Sequence, residues 1–495
     1  MNAKKSDILK SLMTYVPSRY FSQFLGFFTS IFMRNFLGPF NAGVWALLRL
    51  IMQYVEYAEL GATMAIYYKV PLYNGEGKKE EAARVANIVL GFVMACSFIA
   101  GIGLIVYAFI FMGKLSAPLF WGLLSCSLIL ALERFYAFYV MLTRAYKDYA
   151  ALSRSVYFDA IINLVFILTI VNKFQLYGLY ASTIILTALN IWYIKRNTSY
   201  ELKFILDIRK ALGYIRFGFP VYLTSILNML LNSVDRLMIT AFLGLEQLGF
   251  YSIAMMSKGY SHQLSTNFSH VTSPHFMEDF GKYGDSEMIH KYIVNGTFAL
   301  SCFMVFVQGV TYIFADPLVR TAMPAFVPGI TALKIFILTG LFAGMITFPT
   351  NYIVVKDKQK TLVLFSSIAV AVNVALNFAF LWAKAGINGV ALSTAIASFI
   401  YLVMLLGYAM KHFAPGKITG ALLKIFLPCV MGGVVVVLLE KAITGPGVWG
   451  GAVIRASVFC LFGIGLALAI DKETGLLKIF IGIMKERIFK NAKTN

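Results

Sequence analysis

Residues 36–45 read Phe36-Leu37-Gly38-Pro39-Phe40-Asn41-Ala42-Gly43-Val44-Trp45, and the chain says nearly the same thing again 206 residues later. There Phe242-Leu243-Gly244-Leu245 is followed by Gly249 and Tyr251. Further echoes come in order: Lys147-Asp148 with Lys356-Asp357 at an offset of 209, Asn163 with Asn373 at 210, and Gly178, Ser182 and Thr183 with Gly389, Ser393 and Thr394 at 211. Each match is short, but four in order at a nearly constant offset mark an internal repeat. Long apolar runs flank every echo. Six such runs lie between equivalent points, and an even number gives both copies the same orientation, which makes the repeat parallel.

The composition agrees with a membrane chain. Of 495 residues, 59% are hydrophobic and 13% charged, against about 25% charged in a soluble domain. Mean hydropathy is +0.76. A soluble enzyme, a disordered chain and a nucleic-acid-binding module are poor fits to such a balance. Fourteen runs are predicted to span, at about 11–33, 43–67, 85–112, 118–142, 151–171, 175–195, 213–243, 248–272, 291–315, 326–351, 361–383, 387–411, 420–440 and 449–470. No gap between them would hold a soluble domain, and runs without alternation exclude barrel strands. The expected fold is an all-α polytopic membrane protein with two parallel six-helix lobes. They cover residues 1–200 and 201–412, and 413–495 adds two helices and a basic tail.

The net charge of +20 reports topology before it reports a partner. With the N-terminus inside, the cytoplasmic loops and tail carry 29 Lys and Arg and the opposite side six: Arg34, Lys114, Lys173, Arg320, Lys384 and Lys441. That asymmetry predicts both termini in the cytoplasm. No cleavable signal is expected. After Ile470, Leu477, Phe480, Ile481, Met484 and Ile488 alternate with Lys478, Lys485, Arg487 and Lys490. An interfacial amphipathic helix and a disordered basic tail both fit that pattern.

Charges inside the runs point to function, because each costs roughly 2.5–3.5 kcal/mol at a bilayer centre and should face water or a partner. Four runs carry polar stripes at helical spacing. The first has Tyr15, Arg19, Ser22, Gln23, Gly26 and Ser30, and the second has Arg49, Gln53 and Glu56 with Glu59 close by. The seventh has Thr224, Asn228, Asn232 and Asp235, and the eighth has Tyr251, Met255, Lys258, His262, Ser265 and Ser269. These are the first two runs of each repeat, where a pseudo-two-fold would bring them together around an aqueous cavity. Arg19, Arg49 and Lys258, with Gln23, Gln53, Asn228, Asn232 and His262, are the candidate substrate-binding residues. Glu56, Glu59, Asp159 and Asp235 are candidates for ion pairing or for coupling to protons or sodium. Interhelical hydrogen bonding without a substrate is the alternative reading of such stripes. Arg134, Arg216, Lys334 and Arg455 lie where snorkelling to an interface is expected, and Glu133 beside Arg134 reads as a local pair.

The remaining motif searches are empty. There is no Walker A sequence, no GxSxG and no His or Cys arrangement of metal-ligand spacing, so neither catalytic residues, metal nor cofactor are expected. Cys96, Cys126, Cys302, Cys429 and Cys460 each sit in an apolar stretch and read as packing residues. Transport without an ATP site would draw on an ion gradient, the membrane potential or substrate consumption.

Arg34-Asn35-Phe36-Leu37-Gly38-Pro39 with Ala42-Gly43, then Glu59-Leu60-Gly61, then Gly218-Phe219-Pro220, Asp235-Arg236 and Phe242-Leu243-Gly244 together resemble the Wzx-type O-antigen and polysaccharide flippases. These belong to the multidrug/oligosaccharidyl-lipid/polysaccharide exporter superfamily. The resemblance runs the length of the chain. It implies a V-shaped, two-lobed, alternating-access fold of fourteen helices. The implied substrate is an undecaprenyl-pyrophosphate-linked oligosaccharide moved to the outer leaflet of a bacterial or archaeal cytoplasmic membrane. Polysaccharide polymerase and glycosyltransferases are the implied partners, beside membrane lipids. Lipid II flippases of the same superfamily use cavity arginines in their first two helices and a basic residue in the eighth; Arg19, Arg49 and Lys258 fall in comparable regions. A multidrug exporter of the same fold is the alternative, and a membrane-embedded glycosyltransferase or polymerase fits less well, since the longest outer loop, near Asp316 to Ala325, is short.

Overall fold

The computed structural model describes residues 2–198, 202–231, 233–411, 415–443, 445 and 447–474. The tail from 475 onward, where an amphipathic helix was one expectation, and Asn232 lie outside the described residues. The architecture is all-α, with no strand among the described residues. In chain order the helices are α1 Asn2–Glu56, α2 Met64–Gly75, α3 Lys79–Ile110, α4 Ala117–Ala145, α5 Tyr149–Phe166, α6 Asn172–Arg196, α7 Ile208–Leu231, α8 Val234–Phe242 and α9 Leu245–Tyr283. They continue as α10 Glu287–Ala322, α11 Ile330–Met345, α12 Thr347–Val355, α13 Gln359–Trp382, α14 Gly386–Ala409, α15 Pro415–Ala442 and α16 Gly447–Thr474.

Among the described residues, nine helical segments are long and apolar enough to cross a membrane: α3, α4, the continuous stretch Tyr149–Arg196, α10, Pro324–Val355, α13, α14, α15 and α16. The protein is therefore a multi-pass membrane protein. The helices that do not meet this standard are α1, α2, α7, α8 and α9. They hold the four runs whose polar stripes set them apart in the sequence, and α2 and α8, at 12 and 9 residues, are too short to cross by themselves.

The repeat is written in the backbone. Residues with positive φ punctuate the chain at Gly38 (69°), Gly77 (78°), Lys147 (60°) and Gln175 (49°), and again at Gly244 (88°), Gly284 (61°), Asp357 (55°) and Gly386 (59°). The offsets are 206, 207, 210 and 211, so four breaks with positive φ recur in the same order, whereas Leu60 and Gly61, also with positive φ, have no such counterpart. At Gly38 the left-handed φ breaks α1 into two helices, which any residue with a Cβ would resist. Backbone equivalence also corrects one detail of the sequence alignment: Lys147 corresponds to Asp357, one residue on from the Lys147–Lys356 match.

The chain divides into two compact units, Met1–Ser252 and Ile253–Asn495. In the first, α1 packs on α5, α3 on α4, α4 on α6, and α2 on both α3 and α7. Its core joins Ile66 and Val70 of α2, Val89 and Leu90 of α3, and Phe138 and Leu142 of α4. In the second unit α10 is the hub. Cys302, Val305 and Ile313 on α10 meet Val436 and Leu439 on α15 and Ala452 and Phe459 on α16. The two C-terminal helices are thus docked on the second unit. Lys334 of α11, where snorkelling was expected, donates to Glu440 of α15 at 2.7 Å with its ammonium 4.5 Å from the Tyr312 ring centroid. At the α9–α10 turn, Asp285 accepts from Lys356, from Tyr352 Oη at 2.8 Å and from His290 Nε2 at 3.0 Å. Partial burial opposes its ionisation, and these three donors outweigh it and hold the carboxyl below the usual carboxylate range.

Candidate functional site

The second half of α1 and the turn after it carry Arg49, Glu56 and Glu59 of the charged residues singled out in the sequence, and α4 supplies their partners. Arg49 Nη1 donates to Glu133 at 2.7 Å, and its guanidinium lies 5.6 Å from the Trp45 ring centroid. Arg134 reaches Glu56 at 3.3 Å and Glu59 at 3.7 Å. Glu133 and Arg134 are sequence neighbours that do not pair with each other. Adjacent residues on a helix point about 100° apart, so each is aimed at a different partner on α1 or the 3-10 turn Tyr57–Glu59 that follows it.

The environment of this cluster is graded. Arg49 keeps 47% of its side chain exposed, whereas Glu59 keeps 8%. Glu59 also accepts from the Thr63 hydroxyl. Its other oxygen, Oε2, and Arg134 Nη2 are buried without a hydrogen-bond partner among the described residues; Oε2 has charge attraction to Arg134 Nη1, and Nη2 to Glu56. The cluster sets two arginines against three glutamates, one of which, Glu59, is buried. Arg49, one of the three cations expected to serve an anion, is engaged by Glu133, and Glu133 and Arg134, assigned to each other in the sequence, instead face different partners on α1 and the turn after it.

The other predicted residues have distinct surroundings. Arg19 is exposed on α1 and makes no ion pair among the described residues; Gln23 is half-buried one turn on. Gln53 accepts from Arg236 Nη2 at 3.1 Å. Asp235, 1% exposed, accepts from Tyr251 Oη at 2.8 Å and from the Arg236 backbone N–H at 2.8 Å. Asp159 accepts from Asn190 Nδ2 at 2.6 Å, tying α5 to α6. Tyr54 and Ser233 share a hydrogen bond at 2.8 Å. Asn228 lies on α7. In the second unit, Lys258 is half-buried with its ammonium 5.6 Å from the Phe336 ring centroid, and His262 is exposed, its backbone carbonyl accepting from Thr266 at 2.9 Å. Gln308 donates to Ser261 at 2.7 Å, a buried contact between α10 and α9 that the sequence did not suggest.

Close backbone approaches bring α1 and its continuation against α7 and the start of α9. A Cβ on Gly43 would fall on the Leu245 carbonyl, and one on Gly249 would fall on the Pro39 carbonyl. A Cβ on Gly218 would likewise strike the Gly61 carbonyl. Arg34 reaches across beside the first of these contacts, donating to Ser252 Oγ at 3.1 Å, to the Ser252 carbonyl at 3.2 Å and to the Ser30 carbonyl of its own helix at 3.0 Å.

Known structures share this fold. A lipid II flippase MurJ in an inward closed conformation superimposes with a TM-score of 0.69 at 15% identity, covering 93% of this chain and 99% of its own. An inward-facing multidrug resistance MATE family transporter of the MOP superfamily gives 0.66 at 15% identity, covering 81% and 95%. A MOP superfamily transporter from Pyrococcus furiosus, described as having a binding pocket of reversed polarity, gives 0.54 at 15% identity, covering 83% and 96%. No curated protein matches the chain by sequence. The fold is thus that of the MOP flippases and exporters. The sequence profile described as "Polysaccharide biosynthesis protein" matches residues 32–325, more than half of the chain, and the protein belongs to that family.

Proposed function

We propose that the protein is a flippase for a lipid-linked oligosaccharide, carrying an undecaprenyl-pyrophosphate-bound glycan from the inner to the outer leaflet by alternating access. The observation that carries this is the coincidence of a polysaccharide-biosynthesis family match with a flippase fold over nearly the whole chain. In this reading the chain crosses fourteen times with both termini in the cytoplasm. It acts as a transporter and not an enzyme, and works beside a polysaccharide polymerase and glycosyltransferases. The pyrophosphate needs cations in a wet cavity, and Arg19, Arg49 and Lys258 are the proposed ones, with Gln23, Gln53, Asn228, Asn232 and His262 as polar lining. Glu56, Glu59, Asp159 and Asp235 are the proposed coupling or pairing acids. Expression in a strain lacking its own polysaccharide flippase should restore surface polysaccharide. Failure of a well-expressed, membrane-inserted protein to do so across several donor glycans would remove the reading.

One observation favours a second reading. The acid excess of the Arg49–Glu133 and Arg134–Glu56–Glu59 cluster suits a cationic drug better than a pyrophosphate. Raised drug resistance on expression, without polysaccharide rescue, would select that alternative.

The flippase reading also predicts a voltage response. A pyrophosphate headgroup carries about two negative charges and leaves a cell that is negative inside. Each charge gains about 2.3 kcal/mol per 100 mV, so uncompensated export is downhill by about 4–5 kcal/mol. Proteoliposomes with a potassium-diffusion potential should flip faster when the potential favours outward anion movement. Equal rates at either sign would mean that a counter-ion travels with the substrate.

A further inference from the structure

The contact between α1 and the start of α9 is reciprocal in a way that simple packing does not require. Gly43 lies against Leu245, and Gly249 lies against Pro39. Gly43 and Gly249 are repeat equivalents at an offset of 206, and so are Pro39 and Leu245. Each copy therefore presents the same carbonyl to the same glycine of the other copy, across a local two-fold axis. The helix breaks at Gly38 and Gly244, again equivalent and both with positive φ, set the two carbonyls in place. A glycine facing a carbonyl forms a close but weak contact, of the order of 0.5–1 kcal/mol for each Cα–H···O interaction. Such a contact parts readily, unlike one built from interlocked side chains.

The pairing has one asymmetric member. Arg34 grips Ser252 through both its hydroxyl and its carbonyl. The two-fold counterparts of Arg34 and Ser252 are Thr240 and Ala46. Thr240 donates instead to the Arg236 carbonyl of its own helix at 2.7 Å, and alanine offers no side-chain acceptor. The seal is symmetric in its backbone and locked from one side only.

We infer that Gly43 and Gly249 form a separable backbone seal between the two repeats, and that Arg34 is the latch that holds it shut. This rests on the transporter reading, which supplies a reason for the seal to open. In the sequence Arg34 counted as a loop cation and as the first residue of a family motif, and the inference gives it a positioning role.

Hydrogen–deuterium exchange on the full-length protein in lipid nanodiscs tests the assignment. Arg34→Ala is expected to raise exchange severalfold in residues 36–45 and 245–252, leaving α13–α16 at the wild-type rate and the melting temperature within about 2 °C. Arg34→Lys, which keeps the charge but not the fork geometry, should fall between the two. Gly43→Ala and Gly249→Ala should raise exchange in both segments by similar amounts, because each removes one equivalent half of the seal. Wild-type exchange in Arg34→Ala would overturn the latch. Glycine variants that loosen the whole protein, or that behave unlike each other, would overturn the separable seal in favour of static packing. The readout needs no substrate, so a failed complementation and a failed exchange experiment would indict different conclusions.

Discussion

Arg134→Ala is expected to cost about 3–5 kcal/mol of stability, because it strips a buried carboxylate of its counter-charge. Glu59 is 6% exposed, with Arg134 the cation beside it. Thr63 satisfies one oxygen, and the other, Oε2, would be left with neither a hydrogen bond nor a charge partner. Glu56, also an Arg134 partner, is exposed and loses less. The contrast with Glu59→Gln is what identifies the mechanism: an amide has no charge to strand, so that variant should be milder and should relieve much of the damage in the Arg134→Ala/Glu59→Gln double variant. Thermal unfolding of the purified protein, read as a double-mutant cycle, measures the coupling directly. An Arg134→Ala protein as stable as wild type would mean that the Arg134–Glu59 pair contributes nothing. Additive losses in the double variant would assign the cost to packing of the arginine stem.

Arg134 also shows where the sequence stopped being informative. A charge embedded in an apolar run announces that it needs water or a partner, but not which. Read along the chain, Glu133 is the nearest acid and Arg134 the nearest base. Read in three dimensions, their side chains diverge and reach partners about 75 to 85 positions earlier. Asp235 is similar. It stood in a stripe facing a proposed cavity, yet it is buried under Tyr251, itself fully buried and counted among the polar residues of the eighth run. Stripes report which face of a helix is polar; they do not tell water from a hydrogen-bond partner. The fold was far more legible, because junction residues with positive φ are rare and chemically marked. Gly38 and Gly244 carried the repeat openly. Lys147 and Asp357, which adopt the same conformation without being glycine, hid behind a match displaced by one residue.

Among the three proposed substrate cations, Arg19 should show the cleanest separation of function from stability. Arg49 is engaged by Glu133 at 2.7 Å, and Lys258 is half-buried near the Phe336 ring, so replacing either disturbs the folded protein as well as any ligand. Arg19 is exposed and has no ion pair among the described residues. A surface-like substitution of this kind usually changes stability by no more than about 0.5 kcal/mol. If the guanidinium grips a pyrophosphate, however, removing it forfeits a charge-assisted interaction of roughly 2–5 kcal/mol, equivalent to a loss of about 30-fold or more in substrate affinity. Arg19→Ala is therefore expected to melt like wild type, accumulate normally in the membrane and fail to restore surface polysaccharide. Glu133→Gln gives the complementary test: it frees Arg49 from its partner and should tighten binding of a pyrophosphate lipid while leaving Arg19 untouched. Full complementation by Arg19→Ala would eliminate it as a headgroup ligand. If Glu133→Gln then also left pyrophosphate binding unchanged, the anionic headgroup would have to be held by residues outside α1.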